Sequence, residues 1–349
     1  MRCLLAIVAL LPLLSGTAAA DEGRTAIFQP GTIDRPGSYV LNRDIVVAGG
    51  DAIVIRASQV DLDLNGYAIR STVGGALIQI ADGFSSIRIR NGRLLGNDEV
   101  VAIAYGSSEQ APPITLRLED LEVDGNLFGV FLGSAAVLDI TSCDILRCAD
   151  TCVLSFSAVE PTGRIVDSRF AQAQYNGLHL VQGGMELRGN IISTEPQSYQ
   201  RDQRVGARII GHGGILDGNL VASIDQPPDR TAGVELFASG ILMTNNVLDR
   251  HSTGVIVHSN GNRIAGNVIR RSGFNGVDDG NGIDVWNLPG DPAAGNLIEV
   301  NLIDESLQCA LNFSPPSADN AFRGNMRFAS GVAPVCDGGN GNTDAGGNL

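Results

Sequence analysis

The stretch TGVIVHSNGNRIAGNVIRR, residues 253–271, contains both short motifs from which this sequence is built. The first is G-Φ-x-Φ, where Φ is an apolar residue, and the second is G-N-Φ-Φ. Copies of the first motif begin at Gly177, Gly233, Gly254 and Gly282, and copies of the second begin at Gly189, Gly218, Asn245, Gly266 and Gly295. The number of residues from the first motif to the second is nearly constant, whereas the number from the second motif to the next copy of the first varies. This pattern predicts a repeat whose insertions gather at one turn, typical of a scaffold with one decorated face.

Alternating apolar and polar residues, as in 60–64, 87–90 and 114–118, predict β-strands rather than helices. A period of roughly 20 to 30 residues is too short for propeller blades, and the leucine spacing of leucine-rich repeats is missing. We therefore predict a single-domain, all-β parallel β-helix of about ten coils, stacked ~4.8 Å apart. The recurring asparagine should turn with left-handed backbone geometry and bond the amide of the next coil. In the N-terminal half, the position of this asparagine should be taken by Asp120, Asp144 and Arg169.

The chain divides by composition into four segments. Residues 1–20 have a charged start, a short apolar run and an A-x-A site, which predict a cleaved signal peptide and a secreted or periplasmic protein without a membrane span. Residues 21–50 form a lead-in and first coil, 51–330 the parallel β-helix, and 331–349 a Gly/Asn-rich tail.

The charge and the cysteines limit the partners and the chemistry. A net charge of −14, with no lysine, argues against nucleic acid and anionic membranes and excludes lysine catalysis. Cys309 and Cys336 lie about one repeat apart, so stacked coils could bring them within disulfide range. Cys148 and Cys152 could pair across a short turn.

These repeats resemble those of right-handed parallel β-helix proteins, the broad group that contains pectate lyases, polygalacturonases, alginate epimerases and NosD-like proteins. The resemblance covers roughly residues 51–328 and implies a polysaccharide partner. Gly211-His212-Gly213 and Asp278-Asp279 look like polygalacturonase fragments in the wrong order, and Arg263-Ile264-Ala265 lacks the lysine of that family's R-I-K. The similarity therefore reaches the superfamily and not one activity.

The x position of G-Φ-x-Φ should point outward, so that equivalent residues form columns on one face. The first column is Phe131, Leu154, His179, Arg208, Glu235, Ile256, Asp284 and Asn312. Two residues further on, the second column is Val181, Ile210, Phe237, His258, Trp286 and Ser314. The long turns 193–205, 222–232, 270–281 and 299–308 precede strands of this face and should wall a groove.

Site residues follow from the chemistry of these columns. The candidate catalytic residues are Arg208, Glu235, His258 and Asp284. The candidate substrate-binding residues are His179, Phe237, Trp286 and Asn312. Asp278 and Asp279 are candidate ligands of a metal, with Ca²⁺ as the cation that suits such a site.

Two mechanisms stay open at this point. Glu235 and Asp284 lie two rungs, or ~10 Å, apart, as an inverting glycosidase would need. Alternatively, Ca²⁺ neutralises a uronate while Arg208 or His258 takes its C5 proton, as in β-elimination or epimerisation. The sequence thus predicts a monomeric, exported protein that binds and cleaves or epimerises a polysaccharide. The alternative is a non-catalytic surface, envelope or binding module, and a NosD-like accessory role is a third.

Overall fold

The fold was analysed in a computed structural model of the chain. It describes residues 23–106, 113–134, 136–156, 162–181, 183–194, 204–223, 231–273, 280–286, 292–328, 331 and 333–348. The expected signal peptide, residues 1–20, and the candidate ligands Asp278 and Asp279 lie outside these residues. Within them, no helix has the length and apolar character needed to cross a membrane.

The described residues form β-strands joined by turns. From residue 23 to 134 the strands are β1 (Thr25–Ile27), β2 (Gly31–Ile33), β3 (Gly37–Leu41), β4 (Ile45–Val47), β5 (Ile53–Ile55), β6 (Val60–Asp63), β7 (Ala68–Ser71), β8 (Gly75–Ile80), β9 (Ile87–Leu95), β10 (Val100–Tyr105), β11 (Ile114–Asp124) and β12 (Phe128–Leu132). From 136 to 257 they are β13 (Ala136–Thr141), β14 (Asp144–Leu146), β15 (Val153–Ser155), β16 (Gly163–Val166), β17 (Arg169–Ala173), β18 (Asn176–Val181), β19 (Met185–Arg188), β20 (Ile191–Thr194), β21 (Arg204–Asp217), β22 (Leu220–Ser223), β23 (Thr231–Thr244), β24 (Val247–Asp249) and β25 (Thr253–Val257). The remaining strands are β26 (Arg263–Ala265), β27 (Val268–Arg270), β28 (Ile283–Val285), β29 (Leu297–Glu299), β30 (Leu302–Asp304), β31 (Cys309–Phe313), β32 (Ala321–Arg323), β33 (Met326–Phe328), β34 (Ala333–Asp337) and β35 (Thr343–Asp344).

The strands stack in parallel on three faces of a solenoid. The first face consists of β2, β5, β8, β10, β12, β15, β18, β21, β23, β25, β28, β31 and β34. The second consists of β1, β3, β6, β9, β11, β13, β16, β19, β21, β23, β26, β29, β32 and β35. The third consists of β4, β7, β9, β11, β14, β17, β20, β22, β24, β27, β30 and β33. The long strands β9, β11, β21 and β23 bend round a corner and belong to two faces. The predicted parallel β-helix is confirmed, with about 11 turns where about ten were expected.

The core lies inside the coil, where alternate strand residues point inward. On the first face, the inward residues Leu178, Ala207, Val234, Val255 and Ile283 pair in one register and are at most 1% exposed. Burying such aliphatic side chains stabilises the fold by about 1.5–3 kcal/mol each. Because each inward residue fixes its neighbours, the outward residues of the same strands are also held in line.

The asparagine ladder runs along the corner between the second and third faces. Its members are Asn190, Asn219, Asn246, Asn267, Asn301, Asn325 and Asn348, and each Nδ2 donates to the next Oδ1 over 2.8–3.1 Å. In this ladder, left-handed geometry falls on the residue before each asparagine, for example Gly266 with φ 66°. The expected left-handed turn residue does occur in the N-terminal half, at Asn65, Asn91 and Asp120, with φ of 53°, 57° and 51°. The glycine of G-N-Φ-Φ thus makes the turn, while the asparagine satisfies buried backbone groups.

Two register assignments from the sequence are wrong. Asn296 does not follow Asn267; instead it belongs to a second ladder at the corner between the first and second faces. This second ladder consists of Asn262, Asn296, Asn320 and Asn342. In the N-terminal half, the ladder position passes from Asn190 to Ser168 and Cys143, and not to Arg169 and Asp144. A side-chain hydroxyl can accept the same hydrogen bond from a backbone N–H, so asparagine is not required at these positions and the motif is harder to recognise.

The long connections of the chain occur both before and after strands of the first face. Segments 195–203, 224–230 and 271–282 lead from the third face to the first, as expected, but 106–113, 156–162 and 286–296 lead from the first face to the second. The expected long turn 299–308 contains β30 and is an ordinary part of a coil. The prediction of a single variable turn is therefore wrong, although each of these segments connects to a strand of the first face.

The last coil includes the segment that its composition suggested was a tail. Residues 333–348 form β34 and β35 and carry the last members of both asparagine ladders. The expected disulfide between Cys309 and Cys336 is present and joins two adjacent rungs of the first face. Cys148 and Cys152 are buried free thiols, so their expected pairing is wrong. Burial raises the pKa of the Cys148 thiol, which favours its neutral form.

Candidate functional site

The outward column of the first face is in the register that the sequence predicts. His179 pairs with Arg208, and Arg208 pairs with Glu235. Glu235 pairs with Ile256, and Ile256 pairs with Asp284, which places the two carboxylates two rungs apart. A glycine at or near the start of β18, β21, β23, β25 and β28 explains this regularity. At Gly254, an added Cβ would lie 2.6 Å from the carbonyl oxygen of the next strand's glycine and 2.3 Å from Ile269. A larger residue would shift the strand.

Glu235 is the centre of a buried charge cluster. Its Oε2 accepts a hydrogen bond from Nε of Arg208 over 2.6 Å, and its Oε1 lies 3.1 Å from Nε2 of His258. The side chains of Arg208, Glu235 and His258 are only 12%, 3% and 2% exposed. These groups were expected on an open surface, and the structure instead places them under neighbouring side chains.

His258 meets an acceptor at each ring nitrogen. Its Nδ1 lies 2.9 Å from the main-chain oxygen of Trp286, and its Nε2 faces the carboxylate of Glu235. Both ring nitrogens of His258 thus already have polar partners, and Nε of Arg208 is bonded to Glu235. This geometry does not favour the proton-accepting role that the sequence suggested for Arg208 or His258.

The charges around Glu235 also control its ionisation. Burial alone raises the pKa of this carboxyl, but the hydrogen bond from His258 and the charge of Arg208 outweigh burial, and the pKa is lowered overall. Glu235 is thus a carboxylate at neutral pH. Next to it, burial and the charge of Arg208 lower the pKa of His179 to about 4, which keeps that imidazole neutral.

Aromatic rings enclose His258 as the second column predicts. The ring of Phe237 stacks on it at 4.3 Å between centroids, and the indole of Trp286 lies at 5.5 Å on the other side. Trp286 is 42% exposed, so one end of this stack faces solvent. The guanidinium of Arg208 lies 5.9 Å from the centre of the Phe237 ring, within reach of a cation–π contact.

A pocket of about 250 Å³ opens beside this stack. Its walls include Glu235, Ile256, Asp284, Trp286 and Asn312, which all come from the predicted columns. Asp284 Oδ1 accepts a hydrogen bond from Nδ2 of Asn312 over 2.9 Å, and its Oδ2 lies 3.3 Å from Nδ2 of Asn281. The pocket thus joins a half-buried carboxylate, a buried one and an exposed indole.

Sequence reasoning missed the polar rim of the pocket. It is formed by residues at or just before the start of first-face strands: Thr231, Ser252, Thr253, Asn281 and Gln308. These side chains flank the motif glycines, and their recurrence as Ser, Thr, Asn or Gln was the available signal. They supply neutral donors and acceptors, which suit hydroxyl groups.

The structure leaves the metal prediction untested. No group of three or more His, Cys, Asp or Glu side chains within the described ranges is arranged to hold a metal ion. Asp278 and Asp279 lie outside those ranges, so Ca²⁺ binding by them stays a prediction.

Comparison with known proteins identifies the fold. Residues 128–291 match the family model described as the right handed beta helix region. The protein is a right-handed parallel β-helix. No curated protein matches this β-helix in sequence.

Several solved structures share the architecture of this β-helix. The A-module of the mannuronan C-5 epimerase AlgE6 of Azotobacter vinelandii has a TM-score of 0.58 at 15% identity, over 90% of this chain and 91% of that one. The A-module of AlgE4 from the same organism has a TM-score of 0.55 at 13% identity, over 89% and 91%. The catalytic unit of a GH87 α-1,3-glucanase from Streptomyces thermodiastaticus has a TM-score of 0.54 at 14% identity, over 91% of this chain and 63% of that one. At such identities the likeness shows the fold alone.

Proposed function

We propose that this β-helix binds a neutral polysaccharide along its first face and hydrolyses it in the pocket between Glu235 and Asp284. The observation that carries this proposal is the pocket itself, where two carboxylates two rungs apart flank an exposed tryptophan. The structural neighbours named above include proteins that act on polysaccharides, which supports this substrate class. Export to the periplasm or the medium, where such polymers occur, belongs to the same proposal.

The electrostatics of the pocket favour a neutral sugar over a uronate. Within the described part of the chain, Glu235 and Asp284 line the pocket and no arginine or histidine does. Arg208 is already bonded to Glu235. A uronate carboxylate would therefore meet the negative charge of Glu235, in a protein whose net charge is −14. Hydroxyl groups, in contrast, find the neutral polar rim.

The proposal gives each of the two carboxyl groups one role in hydrolysis. The ionised Glu235 keeps lone pairs that can take a proton from a water molecule in the pocket. Asp284 would give a proton to the leaving glycosidic oxygen while that water attacks the anomeric carbon. Two rungs, or ~10 Å, leave room for the water and predict inversion at that carbon. Trp286 would hold the sugar ring by apolar contact with its face.

A glycan panel tests this activity. Dextran, α-1,3-glucan, laminarin and xylan represent neutral polymers, and alginate and polygalacturonate represent uronates. We expect new reducing ends from at least one neutral polymer, with inverted anomeric configuration by NMR, and no unsaturated uronate. Absorbance from unsaturated uronate, or C5 inversion of alginate, would contradict the proposal.

Matched variants assign the two carboxylates. Asp284→Asn should lower kcat by at least 100-fold, whereas Asp304→Asn, on the third face, should retain full activity. A fluoride leaving group needs no proton, so Asp284→Asn should regain activity on the glycosyl fluoride of the same sugar and Glu235→Gln should not. Full activity of Asp284→Asn on the polymer would place the chemistry elsewhere.

One observation favours a second candidate, a non-catalytic binding module. Both oxygens of Glu235 already have partners in a buried cluster, as a purely structural charge would. In that case a glycan would bind, the pocket variants would weaken binding, and no product would form from any polymer of the panel. Affinity electrophoresis beside the product assays separates the two functions.

A further inference from the structure

A second group of aromatic rings lies on the first face, away from the pocket. Phe128 and Phe131 have centroids 5.5 Å apart, Phe131 and Phe156 6.4 Å, and Phe156 and His179 5.7 Å. We call these four residues the aromatic row. Phe156 is 41% exposed, an unusual state for a large apolar ring beside a packed sheet.

The aromatic row is continuous with the pocket. Phe131 pairs with Leu154 and Leu154 with His179, so two of its rings stand in the first outward column. Phe156 lies two residues beyond Leu154, in line with the second column. His179 in turn pairs with Arg208, the outer member of the Glu235 cluster. The row is therefore the N-terminal extension of the surface that ends at Trp286.

The charge of the row suits the same ligand. Three of its members are phenylalanines, and the low pKa of His179, about 4, keeps the fourth neutral at neutral pH. Apolar ring faces without charge bind the CH face of a pyranose by contact and dispersion. They offer no charge or hydrogen-bond donor that would recognise an anion.

We propose that the aromatic row is a distal subsite for the polysaccharide, centred on Phe156. This inference rests on the proposed function of the pocket and names the length and direction of its substrate. The rung of Phe156 lies five rungs from that of Asp284, or ~24 Å. A sugar in an extended chain advances by about one rung spacing, so a chain that fills both sites has about six units and runs along the solenoid axis.

The prediction is a dependence of affinity on chain length. Affinity electrophoresis of the whole protein in gels with dextran, laminarin or xylan identifies the polymer retained. Calorimetric titration then uses oligosaccharides of that polymer with about three and about eight units, chosen from the rung spacing. All titrations use the Asp284→Asn background, so that the ligand is not consumed.

Three substitutions separate the possible results. Phe156→Ala should weaken binding of the long oligosaccharide about tenfold and leave the short one unchanged, which corresponds to ~1.4 kcal/mol. Trp286→Ala should weaken both. Phe28→Ala is the control, since Phe28 is 54% exposed but lies outside the first-face columns, between β1 and β2, and it should change neither.

The outcomes distinguish the two proposals. If Trp286→Ala weakens both ligands but Phe156→Ala weakens neither, the distal subsite is wrong and the pocket stands. If Phe156→Ala weakens the short ligand as much as the long one, the row is not a separate subsite and the inference fails. If no polymer of the panel retains the protein, or Trp286→Ala has no effect, the proposed function itself is overturned.

Discussion

Replacing Glu235 by glutamine should destabilise the protein as well as the site. The substitution removes the one anion between Arg208 and His258, whose side chains are 12% and 2% exposed. Breaking a buried ion pair from one side costs about 3–5 kcal/mol in free energy of unfolding. We expect the lower end, about 3 kcal/mol, because Arg208 keeps some contact with solvent.

A double-mutant cycle tests the cause. Arg208→Met combined with Glu235→Gln removes both charges, so the double variant should be more stable than the sum of the single losses predicts. The assay is urea unfolding at pH 7, followed by circular dichroism for the solenoid and by fluorescence of Trp286, the only tryptophan, for the site. Asp139→Asn, which breaks an exposed pair with Arg164, is the control and should shift the midpoint far less.

Two results would contradict a buried charge cluster at Glu235. If Glu235→Gln unfolds at the wild-type urea concentration, the cluster does not carry the buried charge that its geometry indicates. If the double variant loses the full sum of the single losses, the two residues act independently.

Three further predictions concern the scaffold. Asn246→Ala removes the side chain that bonds Asn219 and Asn267, and it should lower the free energy of unfolding by about 3 kcal/mol. Asn348→Ala, at the end of the ladder, should lower it by only about 1 kcal/mol. Urea titrations measure both changes. Burial lowers the pKa of His251 to about 4. Because the unfolded state then takes up the proton first, stability should fall by up to ~3 kcal/mol as the pH drops from about 6.5 to 4, and His251→Gln should show a smaller fall in the same titration. Removing the Cys309–Cys336 disulfide, which joins residues 27 apart, should cost about 3 kcal/mol, measured by urea unfolding of the double serine variant; an unchanged midpoint would contradict this estimate.

The column that carries the candidate site could be predicted because close packing fixes its glycines. The strands β18, β21, β23, β25 and β28 each have, at or near their start, a glycine that the next coil leaves no space to replace, as at Gly254. Counting from that glycine places Glu235 and Asp284 correctly, since strand residues alternate strictly between inside and outside. Counting residues in the same way also predicted Phe237 and Trp286 as the neighbours of His258.

The register of the asparagine ladders and the burial of the site could not be predicted, because they depend on contacts that no local sequence pattern encodes. Asn296 was assigned to the wrong ladder because G-N-Φ-Φ occurs at two corners, and the true partner of Asn267 is preceded by Val300, which adopts the left-handed turn without a glycine, at φ 56°. The burial of His258 was missed because outward strand positions are usually exposed. Its cover comes from Phe237 and Trp286, on the preceding and following rungs of the same face.

The hydrogen bond from His258 to the main-chain oxygen of Trp286 links two tasks that are usually separate. The residue whose indole would hold the ligand also anchors, through its backbone, the imidazole that contacts Glu235. A chain of hydrogen bonds thus connects the backbone of Trp286 through His258 and Glu235 to Arg208. Occupancy of the surface could therefore be followed from inside the protein, by the NMR signals of a single imidazole, without any label on the sugar.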